Sequence, residues 1–190
     1  MINNILRSAL IALTMSFMTV ATLSTSGAQA ADGPVILVFD VDRAIALSKA
    51  GKSMAQQLEE QIKGVRADEK AIVDELTSEL DKLKEQQKLL AQDVLQGKVE
   101  ELRNKEIEGR QQIATKSQSI QAGGQKAGRE VLKIAEEELS AISKERKADI
   151  VLRREAVFYA SAAIDVTAEL VKRLDKRMSS VKVTPVTAKK

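Results

Sequence analysis

"LQGKV", residues 95–99, interrupts about one hundred residues of charged, proline-free sequence running from Lys52 to Lys147. On either side Glu, Lys, Gln, Leu and Ala dominate, all good helix formers. A single helix of that length lies far outside the usual range, so the chain must double back, and Gly97 is the natural place for a helix to stop. A reversal there pairs Val94 with Val99, Leu90 with Leu102, Leu80 with Ile113, Ile72 with Ile120, Ile62 with Val131 and Leu58 with Ile134. Apolar residue meets apolar residue in every pair. The spacing follows steps of three and four, with Ile113, Ile120, Ala127, Ile134 and Ala141 recurring every seven residues, which is heptad-like packing. The prediction is an antiparallel helical hairpin over residues 52–147 with its turn near 96–98. The outgoing arm would be roughly 65–70 Å long at 1.5 Å per residue.

Glycines stand out within this arm. Gly123, Gly124 and Gly128 fall inside six residues of "SIQAGGQKAGRE", residues 119–130. Each costs a helix interior about 1 kcal/mol relative to alanine. In the predicted register Gly64 of the outgoing arm lies level with Gly128, so both helices lack a side chain at one height. Helix bends concentrate at such places, and Gly64, Gly123, Gly124 and Gly128 are candidate hinge residues. Close approach of neighbouring chain is the competing explanation. The G-x-x-x-x-G spacing from Gly123 to Gly128 is followed by Arg129 and Glu130. A phosphate-binding loop needs Lys and Ser/Thr there, which argues against nucleotide binding.

The segments flanking the arm read differently. Val35 to Val41 is nearly continuous β-branched and apolar sequence, suited to a strand covered on both faces. Asp42 is a candidate cap for a short helix from Arg43 to about Ser48, and Gly51 for a break before the arm. After the arm, Asp149–Arg153 and Ala156–Ala160 suggest two strands around a reversal at Arg154-Glu155. Asp165 or Thr167 can cap a last helix with Leu170, Val171 and Leu174 on its apolar face. The body so defined spans residues 31–51 and 148–178, and "SSVKVTPVTAKK", residues 179–190, reads as a flexible tail.

The N-terminal thirty residues have a different character. Arg7, an apolar run from Ser8 to Val20 and the Ala28-Gln29-Ala30 pattern are the marks of a cleaved signal peptide spanning residues 1–30. The expected product is an exported protein beginning at Ala31.

Composition excludes much chemistry. The chain of 190 residues has no Cys and no His, which removes disulfides, thiol nucleophiles, imidazole bases and the usual zinc and haem ligands. Aromatic content is 2% with no Trp, so base-stacking platforms are lacking. The expectation is no enzyme, no cofactor and no catalytic or metal-binding residue. The formal charge of +3 raises the question of nucleic acid, but export and the absence of a recognition motif speak against it. A lipid-surface helix would need a broad apolar face with aromatics.

A body of three short strands and two short helices, about 60 residues in all, is marginal alone. Its strands are apolar on both faces and would leave open edges. Ile36, Val38, Val151, Val157 and Tyr159 are therefore candidate oligomer-forming residues in a closed cyclic assembly.

The order of "VILVFDVDRAIALSKAGK", long charged hairpin, "ADIVLRREAVFYA" and "IDVTAELVKRL" resembles the OmpH/Skp family of periplasmic chaperones for outer membrane proteins. The likeness runs from about Val35 to Leu174. It implies an α+β, mostly α fold in which a helical tentacle projects from a small β body completed by trimerisation. It also implies a periplasmic location in a Gram-negative bacterium, a homotrimer, and ATP-independent holding of unfolded β-barrel proteins between the arms. Transient contact with the membrane surface is compatible with that location. The well-known members carry basic arm tips, whereas residues 84–110 here hold six basic and six acidic side chains. No lipopolysaccharide site maps onto this sequence. Apolar residues off the predicted seam, Val73, Leu89, Leu95 and Ile107, are candidate client contacts. An exported coiled-coil adaptor or spacer without chaperone activity is the alternative, and it should have a more regular seam and no glycine cluster.

Overall fold

The structure, a computed structural model, describes residues 33–186. The predicted signal peptide lies outside the described residues. Strand β1 (Ile36–Phe39) is made of four apolar residues and is the centre of the body. It pairs in parallel with β2 (Ile150–Arg153), from Ile36 opposite Ile150 to Phe39 opposite Arg153. Its other edge is also engaged, because the Val38 amide donates to the Ile164 carbonyl at 2.8 Å and the Val166 amide donates to the Val38 carbonyl at 2.9 Å. Leu37, Val38 and Phe39 are consequently buried.

The expected strand at 156–160 is absent. Residues Arg154–Ala156 form one 3-10 turn, and an irregular segment leads to the final helix. Arg154 and Glu155 offer none of the left-handed conformations that a tight antiparallel hairpin requires, and β1 takes the pairing that a hairpin partner would have supplied.

Helix α1 (Val41–Leu47) is capped by Asp40, whose carboxylate accepts from the Arg43 amide at 2.8 Å, and not by Asp42. The break before α2 (Lys49–Gln86) falls at Ser48, whose hydroxyl accepts from the Gly51 amide at 3.0 Å. Gly51 lies within α2 and has another purpose. A Cβ there would stand 1.9 Å from the Ile45 carbonyl oxygen, so glycine lets α1 pack directly onto α2.

The long arm is an antiparallel hairpin of α2 and α3 (Gln92–Glu145), but it does not turn at Gly97. The reversal occupies residues 87–91, with Leu89 and Leu90 amides both donating to the Gln86 carbonyl. Among the described residues only Lys147 is a non-glycine with positive φ, and no glycine has one. The turn uses right-handed and extended residues, with Ala91 at φ −61° and ψ 149°, so glycine is not needed. Gly97 lies inside α3 with open space beside it.

The register shifts accordingly. Glu79 meets Lys105 at 2.7 Å, Asp68 pairs with Lys116, and Leu58 packs beside Gly124. Partner numbers therefore total about 182 rather than about 193. The difference of about eleven residues is close to three helical turns, so each apolar face still points at the other helix although every individual pairing changes. Gly64 consequently lies about ten residues farther out than the position opposite Gly128, and the two glycines are not level.

Packing is concentrated near the body. Leu37, Phe39, Val41, Ala135, Ile142, Val166, Leu170 and Leu174 form one core, which joins the root of α3 to α4 (Thr167–Arg177). Asp165 accepts from the Thr167 amide at 2.9 Å at the start of α4, and the Thr167 hydroxyl accepts from the Asp40 amide at 2.9 Å. Arg173 bridges Glu145 and Glu169, and Arg177 bridges Glu137 and Glu138, clasping α4 against α3. Of the segment expected to be a flexible tail, the described residues as far as Val186 are docked. Val181 and Val183 are buried in a second core with Ala50, Ala127 and Val131. Alternation of apolar and polar residues in "SVKVT" was the overlooked signal.

Candidate functional site

Beyond the body the hairpin thins. Of the large apolar residues of the outer arm, Val65, Leu83 and Ile120 are buried. Ile62, Leu80 and Val99, all expected in the seam, are 45%, 45% and 52% exposed. Two ion-pair rungs tie the helices together, Asp68 with Lys116 nearer the body and Glu79 with Lys105 nearer the tip. The hydrogen bond that Lys105 donates to the Glu79 carboxylate raises the Lys105 pKa above its ordinary value.

Beside these rungs the surface of the hairpin opens into a cleft of about 880 Å³. Ile72, Leu76, Leu80, Val99, Leu102 and Ile113 form its apolar floor, with Glu69, Arg103, Glu106 and Arg110 also lining it. Gly109 contributes to the shape of the floor. A Cβ there would stand 2.7 Å from Cγ2 of Ile72, so this glycine, not singled out in the sequence, admits the Ile72 side chain. A second apolar recess of about 540 Å³ between Leu58, Ile62, Val65 and Ile120 continues along the seam toward the body.

The proposed client contacts do not converge. Val73 lines the cleft and is 54% exposed. Ile107 is exposed on another face of α3, beside Gln111 and Thr115. Leu89 projects from the turn at 86% exposure, and Leu95 is half-buried near the start of α3. The sequence paired Leu80 with Ile113 and Val99 with Val94, but Leu80 and Val99 stay about half exposed at the cleft.

The glycines divide. A Cβ on Gly123 would stand 2.4 Å from the Thr184 carbonyl oxygen, and one on Gly124 would stand 3.0 Å from the Leu58 side chain. Both are places of close approach. Gly64 and Gly128 have no neighbour within 4 Å and leave their helices unbroken.

In the body, Val38 is 1% exposed, so it is enclosed within one chain. Ile36, Val151 and Val157 are half-buried, and Tyr159 is exposed. Phe158, not among the expected contacts, is fully exposed next to Tyr159. Among the described residues no helix is long and apolar enough to cross a membrane, and no cluster of carboxylates has metal-binding geometry.

An aliphatic cleft with a mixed charged rim and no positioned nucleophile or base suits weak apolar contact with many partners. The comparisons agree with that character. Residues 35–174 match the family described as outer membrane protein (OmpH-like). Among solved structures, the chain is similar to a candidate outer membrane chaperone (OmpH-like) from Caulobacter crescentus. The TM-score is 0.78 at 25% identity, covering 82% of this chain and 92% of that one. No curated protein matches the sequence.

Proposed function

Since the chain belongs to the OmpH-like outer membrane protein family, we propose that it is an ATP-independent holdase that keeps outer membrane β-barrel proteins unfolded but soluble in the periplasm. The observation that carries this reading is the contrast between a closed body and an open arm. Leu170, Leu174 and Ile142 are fully enclosed, whereas Leu80, Val99, Val73 and Leu89 are about half exposed or more. A spacer protein would be stiffer with its seam closed. Exposed aliphatics spread along an arm bind weakly one by one and strongly together, and an unfolded β-barrel chain offers many short apolar stretches.

Three chains would complete the assembly. The far edge of β2 has no partner strand among the described residues, and Phe158 and Tyr159 stand exposed near it in sequence. Contacts at this edge would close the body and surround a cavity with three arms. Bending at Gly64 and Gly128, where there is open space, would let the arms adjust to clients of different size.

The test uses residues 31–190. The protein should have the solution mass of three chains and should keep a urea-denatured β-barrel protein from precipitating on dilution without nucleotide. Precipitation as rapid as in buffer alone would refute the reading.

A further inference from the structure

The C-terminal segment lies in a groove at the root of the arm, held through its backbone and through two buried valines. Gln57 reads its backbone from both sides, the Nε2 donating to the Val181 carbonyl at 2.7 Å and the Oε1 accepting from the Val183 amide at 2.9 Å. Gln61 Nε2 donates to the Val183 carbonyl at 2.9 Å. Farther along, the Val186 amide donates to the Ser119 carbonyl at 2.9 Å. Gly123 removes the one side chain that would block the path, since a Cβ there would stand 2.4 Å from the Thr184 oxygen. Val181 and Val183, two residues apart, enter the apolar floor made by Ala50, Ala127 and Val131, and Lys182 between them is exposed. Backbone pairing combined with apolar pockets for alternate residues is the general chemistry of strand capture. The match to the family ends at residue 174, so the occupant lies beyond the shared domain while its receptor lies within it.

We propose that this groove is a second client site, selective for extended segments with apolar residues at alternate positions, and that Val181–Val186 occupies it as an internal competitor. The proposal rests on the holdase reading, because strands of outer membrane β-barrels alternate in this way. Gln57 and Gln61 supply affinity for any backbone, the floor selects alternation, and the tail sets the threshold that a client segment must exceed.

The probe is a fluorescein-labelled peptide, Lys-Val-Thr-Val-Thr-Val-Lys, with its isomer Lys-Val-Val-Thr-Thr-Val-Lys, in which no two valines stand two residues apart, as the non-alternating control. In the full-length chain, Val181→Asp with Val183→Asp ejects the tail and leaves the groove intact. This variant should bind the alternating peptide at least tenfold more tightly than the unsubstituted chain does, and more tightly than it binds the isomer. Adding Gly123→Val should abolish the gain. In the unsubstituted chain, excess alternating peptide should speed amide hydrogen exchange at Val183 and Val186, a readout that does not depend on how the variants fold. Equal binding of both peptides by the tail-ejected chain, or unchanged exchange at Val183 and Val186 under saturating peptide, would overturn the proposal. Neither readout uses client precipitation, so a failed holdase assay with successful peptide capture would sink only the holdase reading.

Discussion

Ile72 and Gly109 face each other across the hairpin so closely that a Cβ built on the glycine would stand 3.9 Å from the Cβ of Ile72. That separation lies in the range disulfides use, and the chain has no cysteine of its own. Ile72→Cys with Gly109→Cys should oxidise to a bond within one chain, visible as a mobility shift under non-reducing conditions. Ile62→Cys with Val131→Cys, which the register of a turn at Gly97 would bring together, should remain reduced. The opposite pattern would restore that earlier register.

The glycines predict opposite signs. Gly123→Ala forces its methyl group against the Thr184 backbone and should cost about 1–3 kcal/mol in denaturant unfolding, the usual range for overpacking. Gly128→Ala meets no neighbour and should stabilise the arm by about 0.5–1 kcal/mol through helix propensity. Equal effects at the two sites would contradict the seating of the tail on Gly123.

What the sequence made legible was periodic. The heptad spacing of Ile113, Ile120 and Ala127 identified the hairpin, and the apolar run at Val35–Val41 identified β1. What it concealed was phase and context. A slip of about three turns leaves Leu58 and Ile72 facing the other helix, so complementarity alone could not choose between registers. Gly97 looked like a turn, but the reversal at 87–91 has ordinary backbone angles and carries no glycine or proline. The role of Gly123 depends on Thr184, sixty-one residues away in sequence. The candidate site was partly legible. Val73 was singled out, but the exposure of Leu80 and Val99 depends on how the two helices pair, which no local pattern records.

Acid should loosen the clasp between α4 and α3. Hydrogen bonds from Arg173 hold Glu145 and Glu169 below the ordinary carboxylate range, and Asp165 is lowered by its bond with Thr167. Groups with depressed folded pKa values stabilise the fold above their unfolded values and lose that contribution as pH falls through the folded ones. The melting temperature should therefore be flat between about pH 6 and 8, where a chain without histidine has little to titrate, and should fall below about pH 4.5. Hydrogen exchange in α4 should rise first. A transition centred near pH 6.5 would contradict this assignment.

The open seam predicts a separation of stability from holding. Leu80 and Val99 are 45% and 52% exposed, so Leu80→Ser with Val99→Ser should cost only about 1–2 kcal/mol of stability, since much of each side chain is already in water. Affinity for an unfolded β-barrel protein should fall about tenfold, a change equal to about 1.4 kcal/mol of binding. Unimpaired holding by this variant would remove the cleft from the mechanism.

The most direct measurement places a photo-crosslinking residue at Leu80, at Lys133 or at Lys172 in the full chain and adds a denatured outer membrane β-barrel protein. The cleft position, Leu80, should give strong adducts, and the exposed root and body positions, Lys133 and Lys172, should give few. Adducts concentrated at Lys133 or Lys172, with none at Leu80, would contradict an arm that holds its clients through its apolar cleft.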